Sequence, residues 1–215
     1  MSLSAVESEP KSPPKRIPLN VISYGEEEIA EVVDSLRSGN VTMGAKVRRF
    51  ERAWADYIGV PQAVMTNSGS SANLIALTAM MNTLPNPRLA AGDEVITPAL
   101  TWATAVFPIA QVGAVPVLVD VELGTYNLDP AAVERAITPR TRAILLVHLL
   151  GNPCEMDALQ DIAARHHLAI IEDSCEAHGA EYHGRRVGGF GALATWSFFF
   201  SPHISTIEGG MIVGR

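Results

Sequence analysis

Three stretches of this chain combine residue types that can do chemistry. The first, Asn67-Ser68-Gly69-Ser70-Ser71-Ala72-Asn73, lies between a short apolar run and a helical pattern. Small residues let the backbone approach an anion, and the free N–H groups of a helix start attract it, so the run reads as a phosphate cradle. Ser and Asn are equally the residues of an ordinary N-cap. There is neither the Lys of a P-loop nor a GxGxxG spacing, so an NTP or NAD site has no support. In the second stretch, an apolar run ends in Asp173-Ser174-Cys175-Glu176. A carboxylate closing a buried strand is costly unless a cation meets it, and a protonated pyridine nitrogen is one such cation. An N-capping Asp is the commoner role for such a residue. The third stretch, Ser197 to Gly210, holds three consecutive Phe and then a polar, Gly-ended loop with His203. It suggests a strand delivering side chains into a pocket, and a locally satisfied loop histidine is the plainer alternative. Trp102 offers a flat face for a ring to stack on, although so large an aromatic is more often core.

The elements that position these residues follow from hydrophobic spacing. Ile29, Val32, Val33 and Leu36 fall on one helical face over Glu26 to Leu36, with three glutamates at its start and Gly39 just past its end. Val47, Phe50, Trp54 and Tyr57 form a similar stripe over Gly44 to Tyr57. Beyond residue 62, strands are expected at Ala63 to Thr66, Glu94 to Thr97, Val115 to Val119, Ala143 to His148, Leu168 to Glu172 and Ala194 to Phe198. Helices are expected at Ser71 to Met81, Ala103 to Gln111, Ala131 to Ile137 and Met156 to His166. This alternation predicts an α/β fold, a mostly parallel sheet between helices, with ligands bound outside the carboxyl ends of its strands. The chemistry-bearing stretches all follow such ends.

Composition narrows the partners. The chain has 215 residues, a formal net charge of −7 and no Lys/Arg stripe, which argues against nucleic acid and anionic membranes. No apolar run approaches the roughly 18 residues that could cross a bilayer, and the first residues lack a signal-peptide core. Cys154 and Cys175 stand apart without CxxC spacing, so no disulfide framework or metal cluster is expected, and a reducing, cytoplasmic setting is. Residues 1–16, rich in Ser, Pro and charge, read as a disordered leader, and 17–215 as one large domain. The chain stops five residues after Gly210 within an apolar run that resembles another strand. A piece of a longer protein is the expectation.

From about Val21 onward the order of motifs resembles one family. The matching text is GEEEIAEVVDSLRSGNVTMGAKVRRFERAWADYIGV, NSGSSANLIAL, GDEVITPALTWATAV, PVLVDVELGTYNLDP, VHLLGNPCEMDAL, IIEDSCEAHGA and WSFFFSPHISTIEGGMIV. It resembles the DegT-type sugar aminotransferases, fold-type I pyridoxal-phosphate enzymes. The resemblance implies an aspartate-aminotransferase-type large domain with a mixed, mainly parallel seven-stranded sheet, its small C-terminal domain absent from this chain. It implies that Gly69, Ser70 and Ser71 hold the cofactor phosphate, with Ser197 adding a hydroxyl, that Trp102 stacks on the pyridine ring, and that Asp173 pairs with its nitrogen. Glu176 stands where the family usually has Gln near the ring hydroxyl. Family members are homodimers, and the first two helices are candidates for that interface.

One departure separates reactions. The family's transaminases carry a Schiff-base lysine six residues before the Glu of Glu-Gly-Gly, and counting back from Glu208 gives Pro202. The chain has three lysines, Lys11, Lys15 and Lys46, and none later. A branch of the family replaces that lysine with histidine and dehydrates nucleotide-linked 4-keto-6-deoxy sugars at C3. With pyridoxamine phosphate the substrate ketone condenses with the cofactor's amine, so the protein supplies a base rather than a covalent lysine. His203, one residue past the lysine position, is the candidate base. Some dehydratases of the branch carry an iron–sulfur cluster, whose four ligands Cys154 and Cys175 cannot supply. The alternatives are a nucleotide-sugar aminotransferase with L-glutamate as donor, and a catalytically inactive sugar-nucleotide binding module.

Overall fold

The structure, a computed structural model, describes Pro18, Val21 and residues 24–82 and 88–214. The expected leader, 1–16, lies outside the described residues. Helix α1 (Glu26–Arg37) begins where Glu28 accepts a hydrogen bond from the Gly25 N–H at 2.7 Å, and three glutamates face its positive end. Helix α2 (Ala45–Ile58) stops at Gly59, whose φ of 81° is the left-handed conformation that favours glycine. Then come β1 (Gln62–Thr66), α3 (Gly69–Met81), β2 (Glu94–Pro98), α4 (Ala103–Gln111), β3 (Val115–Val119) and α5 (Pro130–Ala136). After these follow β4 (Thr141–Val147), α6 (Met156–His166), β5 (Ala169–Asp173), β6 (Glu181–Tyr182), β7 (Arg185–Arg186), β8 (Leu193–Ser197) and β9 (Gly210–Gly214).

Seven strands form one sheet in the order β1-β9-β8-β5-β4-β2-β3. β9 runs antiparallel to both its neighbours, and the other four pairings are parallel. The sheet is therefore mixed and mainly parallel, as expected. Its central strands are buried on both faces, which is why they read as unbroken apolar runs. Ala143, Leu145 and Val147 of β4 face α3 and α4 with Leu77 and Ile109, while Ile144 and Leu146 pack with Leu159 and Ile162 of α6. A third cluster seats Trp54 and Ile58 of α2 on Trp196, Phe198 and Met211. Of the α2 stripe, Trp54 is buried, whereas Tyr57 stays exposed.

Each predicted helix and strand exists, with no end shifted by more than two residues. The β6–β7 hairpin was not predicted, because its strands have two residues each. Its turn places His183 (φ 50°) and Gly184 (φ 75°) both in the left-handed region, the demand of a type I′ turn. Helix α1 has no buried residue, and its apolar Ile29, Val32 and Leu36 remain exposed. Lys46 ties α2 back to α1 through Glu31 at 2.7 Å and Asp34 at 2.8 Å.

Candidate active site

The carboxyl ends of β1, β8, β5 and β2 share one edge of the sheet, and the loops there carry the predicted residues. Past β1, Ser68 caps α3: its Oγ accepts the Ser71 N–H at 3.1 Å and its carbonyl accepts the Ala72 N–H at 3.0 Å. The N–H groups of Gly69 and Ser70 have no partner among the described residues, leaving two donors at the positive end of a 13-residue helix. The cap reading holds for Ser68, and it leaves the N–H groups that the cradle reading needs uncommitted. Ser197, the last residue of β8, closes the cradle. A Cβ on residue 69 would fall 2.7 Å from Ser197 Cβ and 3.0 Å from Cys175 Sγ, so glycine is what lets the two strand ends meet. On the far side, a Cβ on residue 210 would strike the Ser68 carbonyl.

Strand β5 ends in two carboxylates with opposite surroundings. Glu172 is fully buried and saturated: it accepts the N–H groups of Gly188 at 2.6 Å, Phe190 at 2.7 Å and Gly191, and lies 3.1 Å from His148 Nε2. Because His148 Nδ1 accepts the Cys154 N–H at 3.1 Å, the proton of that imidazole sits on Nε2 and is donated to Glu172. Asp173, only 5% exposed, accepts from Asn73 Nδ2 at 2.8 Å and from the Cys175 N–H at 3.1 Å. No Lys, Arg or His among the described residues pairs with it. A buried carboxylate without a cation is suited to a ligand that brings one.

Asn73 enters the sequence reading only as the last residue of the cradle run, without a role of its own. It accepts from Thr195 Oγ1 at 2.6 Å and donates to the Thr104 carbonyl at 3.2 Å as well as to Asp173. An amide on the helix face shared with Ala76, Leu77 and Met80 was the available signal. Cys175, packed beside Gly69 and Asp173, is no nucleophile, because burial and then the Asp173 charge push its thiol well above the usual range.

The other predicted residues ring this edge. Trp102, just before α4, is 73% exposed, so the core reading of it does not hold and its indole faces open space beyond β2. Glu176 accepts the Leu150 N–H at 2.6 Å, pinning the turn after β4, while its other carboxylate oxygen has no hydrogen bond among the described residues. His203 is exposed in the loop between β8 and β9, and its ring centroid lies 6.0 Å from that of His178. The structure joins Gly69, Ser197 and Asp173 through direct neighbours; Trp102 and His203 it leaves at the rim without contact to them.

His178 packs against Trp54 and Phe198, and burial, reinforced by His203, lowers its pKa from 6.5 to about 4. Between those values the unfolded chain holds a proton that the folded one refuses, so stability is complete above pH 6.5 and falls as pH drops towards about 4. Urea titrations at pH 7 and 4.5 should show a loss of up to about 3 kcal/mol, and His178→Phe should remove that part of the pH dependence.

A helix start with two uncommitted N–H groups beside a buried carboxylate that meets no cation among the described residues, both on the carboxyl edge of a mainly parallel sheet, goes with an α/β domain whose sheet is covered by helices on both faces. The chain belongs to the DegT/DnrJ/EryC1/StrS aminotransferase family, which it matches over residues 23–215. It is 45% identical over 189 residues to a dTDP-4-dehydro-2,6-dideoxy-D-glucose 3-dehydratase of Saccharopolyspora spinosa, covering 87% of this chain and 41% of the relative. An L-glutamine:2-deoxy-scyllo-inosose aminotransferase of Micromonospora echinospora is 48% identical over 166 residues, covering 77% and 38%. Among solved structures, E. coli GDP-4-keto-6-deoxy-D-mannose-3-dehydratase with bound hydrated PLP superposes with a TM-score of 0.89 at 39% identity, covering 93% of this chain and 51% of that one. The chain spans about half the length, or less, of these relatives.

Proposed function

We propose that this chain forms the cofactor-binding part of a nucleotide-sugar C3 dehydratase that uses pyridoxamine or pyridoxal phosphate and acts on a nucleotide-linked 4-keto-6-deoxyhexose. The observation that carries the reading is the absence of any lysine after Lys46, with Pro202 at the family's lysine position, in a site otherwise fitted to the cofactor. Lys46 itself is held by α1, away from the strand ends. The fit rests on two features of the site: free N–H donors at Gly69 and Ser70 for a phosphate, and a buried, cation-free Asp173 for a protonated ring nitrogen.

When bound, the cofactor supplies an amine that captures the sugar ketone and a ring that accepts electrons. The chain does the rest. Gly69, Ser70, Ser71 and the Ser197 hydroxyl hold the phosphate; Asp173 keeps the ring nitrogen protonated; Trp102 covers one face of the ring, and Glu176 approaches its hydroxyl. His203 takes the proton whose removal drives loss of the C3 hydroxyl, a general-base role that imidazole fills in many enzymes. The exposed apolar face of α1 is offered to a second subunit of a homodimer. Cys154 and Cys175 are free thiols, which suits a cytoplasmic enzyme.

The 48% identity to an aminotransferase favours a second reading, transamination; the nucleotide-sugar substrate and the L-glutamate donor of that reading rest on the family resemblance alone. Incubating the full-length protein with pyridoxal phosphate and then borohydride, followed by intact mass, separates the two. Dehydration without a covalent lysine predicts an unchanged mass and a 3-deoxy product. A stoichiometric adduct on one lysine, together with an amino-sugar product, would make transamination the function.

A further inference from the structure

We infer that Asn73 is a positioning residue that sets the preference of this site for a ring carrying a basic nitrogen, acting through Asp173; the inference rests on the cofactor reading above. The argument is one of directed hydrogen bonds. Asn73 is 1% exposed, and its amide has only one workable orientation. The Thr104 backbone carbonyl at 3.2 Å can only accept, and so can the Asp173 carboxylate at 2.8 Å, so both face the Asn73 nitrogen. Its oxygen then faces the Thr195 hydroxyl, 2.6 Å away against 3.4 Å for that hydroxyl's other acceptor, the Glu172 carbonyl. All of the hydrogen-bonding capacity of the amide nitrogen is thus committed, and one of its two protons is spent on Asp173 Oδ2.

Asp173 gains a fixed direction from this. The Cys175 N–H holds Oδ1 and Asn73 holds Oδ2, so the carboxylate plane is clamped from two sides without being neutralised. A lysine or arginine in place of Asn73 would clamp it equally well and cancel its charge; a neutral donor leaves the charge for a ligand. Asn73 also sits on the helix whose first residues form the anion cradle. Four residues of α-helix separate Gly69 from Asn73, a rise of about 6 Å. One rigid element therefore spaces the anion-binding end of the site from its carboxylate end, and a ligand is gauged by both at once.

The test uses the full chain and two probes: pyridoxal phosphate, and its analogue with carbon in place of the ring nitrogen. Affinities are read by absorbance titration, independent of turnover. The parent protein is expected to prefer the nitrogen-bearing ring by at least about tenfold, the scale of a charge-assisted hydrogen bond. Asn73→Leu, close in volume, should shrink that preference below about threefold while changing affinity for the carbon analogue by no more than about twofold. Thr195→Val, which frees the amide to turn, should lie between parent and Asn73→Leu, and it decides the matter alone if Asn73→Leu does not fold. A preference unchanged in variants that melt near the parent temperature overturns the role of Asn73. A parent that shows no preference overturns instead the pairing of Asp173 with the ring nitrogen, so the two failures are distinguishable.

Discussion

Asparagine at position 203 should slow formation of the 3-deoxy product by about 10²- to 10⁴-fold, the usual contribution of a positioned base, while cofactor affinity stays that of the parent. The reason lies in the loop that carries the histidine. It is closed at its base by the Phe198 N–H on the Gly209 carbonyl and the Thr206 N–H on the Phe198 carbonyl, both at 2.9 Å. Pro202 fixes φ immediately before His203. Asparagine retains the polarity and most of the size of imidazole but takes up no proton near neutral pH. His203 makes none of the hydrogen bonds that shape the cradle, so phosphate and ring contacts survive its replacement. Product analysis and an absorbance titration on the same preparation check both halves, and unchanged turnover removes His203 from the reaction.

Removing the Glu172 carboxylate should be the most destabilising change near the site, costing about 3–5 kcal/mol for Glu172→Ala in urea denaturation. Three backbone N–H groups of the 188–191 turn and His148 Nε2 all point at this one group, and it is wholly buried. Alanine strands four donors away from water, each carrying a desolvation cost. Glutamine does little better, since half of its amide is itself a donor facing other donors. With total stabilities of about 5–15 kcal/mol, such a loss takes a large share of the margin, and the variant should melt well below the parent. A loss below about 1 kcal/mol would show that water takes the place of the carboxylate.

The sequence carried the sheet well because both faces of its central strands are buried, which writes runs such as Ala143 to Val147 directly into hydrophobicity. It carried the turn into α3 because Ser68 and Gly69 answer local demands, a cap and a close approach. What it could not carry was pairing over long range. Asp173 was visible as an acid at a strand end, and its Cys175 partner is local, but Asn73 reaches it from α3 and is itself held by Thr195 of β8. The adjacent acids Glu172 and Asp173 look alike in sequence; strand alternation sends one into a ring of N–H donors and leaves the other without a cation. Trp102 was open between core and ligand platform, since an exposed tryptophan and a buried one are spelled the same way.

The place of β9 has a bearing on how the protein comes to exist. Residues 62–66 of β1 find their sheet partner only in residues 210–214, and β9 must slide between β1 and β8 to complete both ladders. During synthesis the segment that ends in the Ser68-Gly69 turn therefore waits, with an unpaired strand edge, until nearly all of the described chain has left the ribosome. Loop-closure entropy makes such a late pairing slow, and an open edge is a template for intermolecular pairing in the meantime. The approach of Gly69 to Ser197 and of Gly210 to Ser68 is completed in that same last step, so binding at the anion site proposed there would report completion of the sheet rather than any earlier stage of folding.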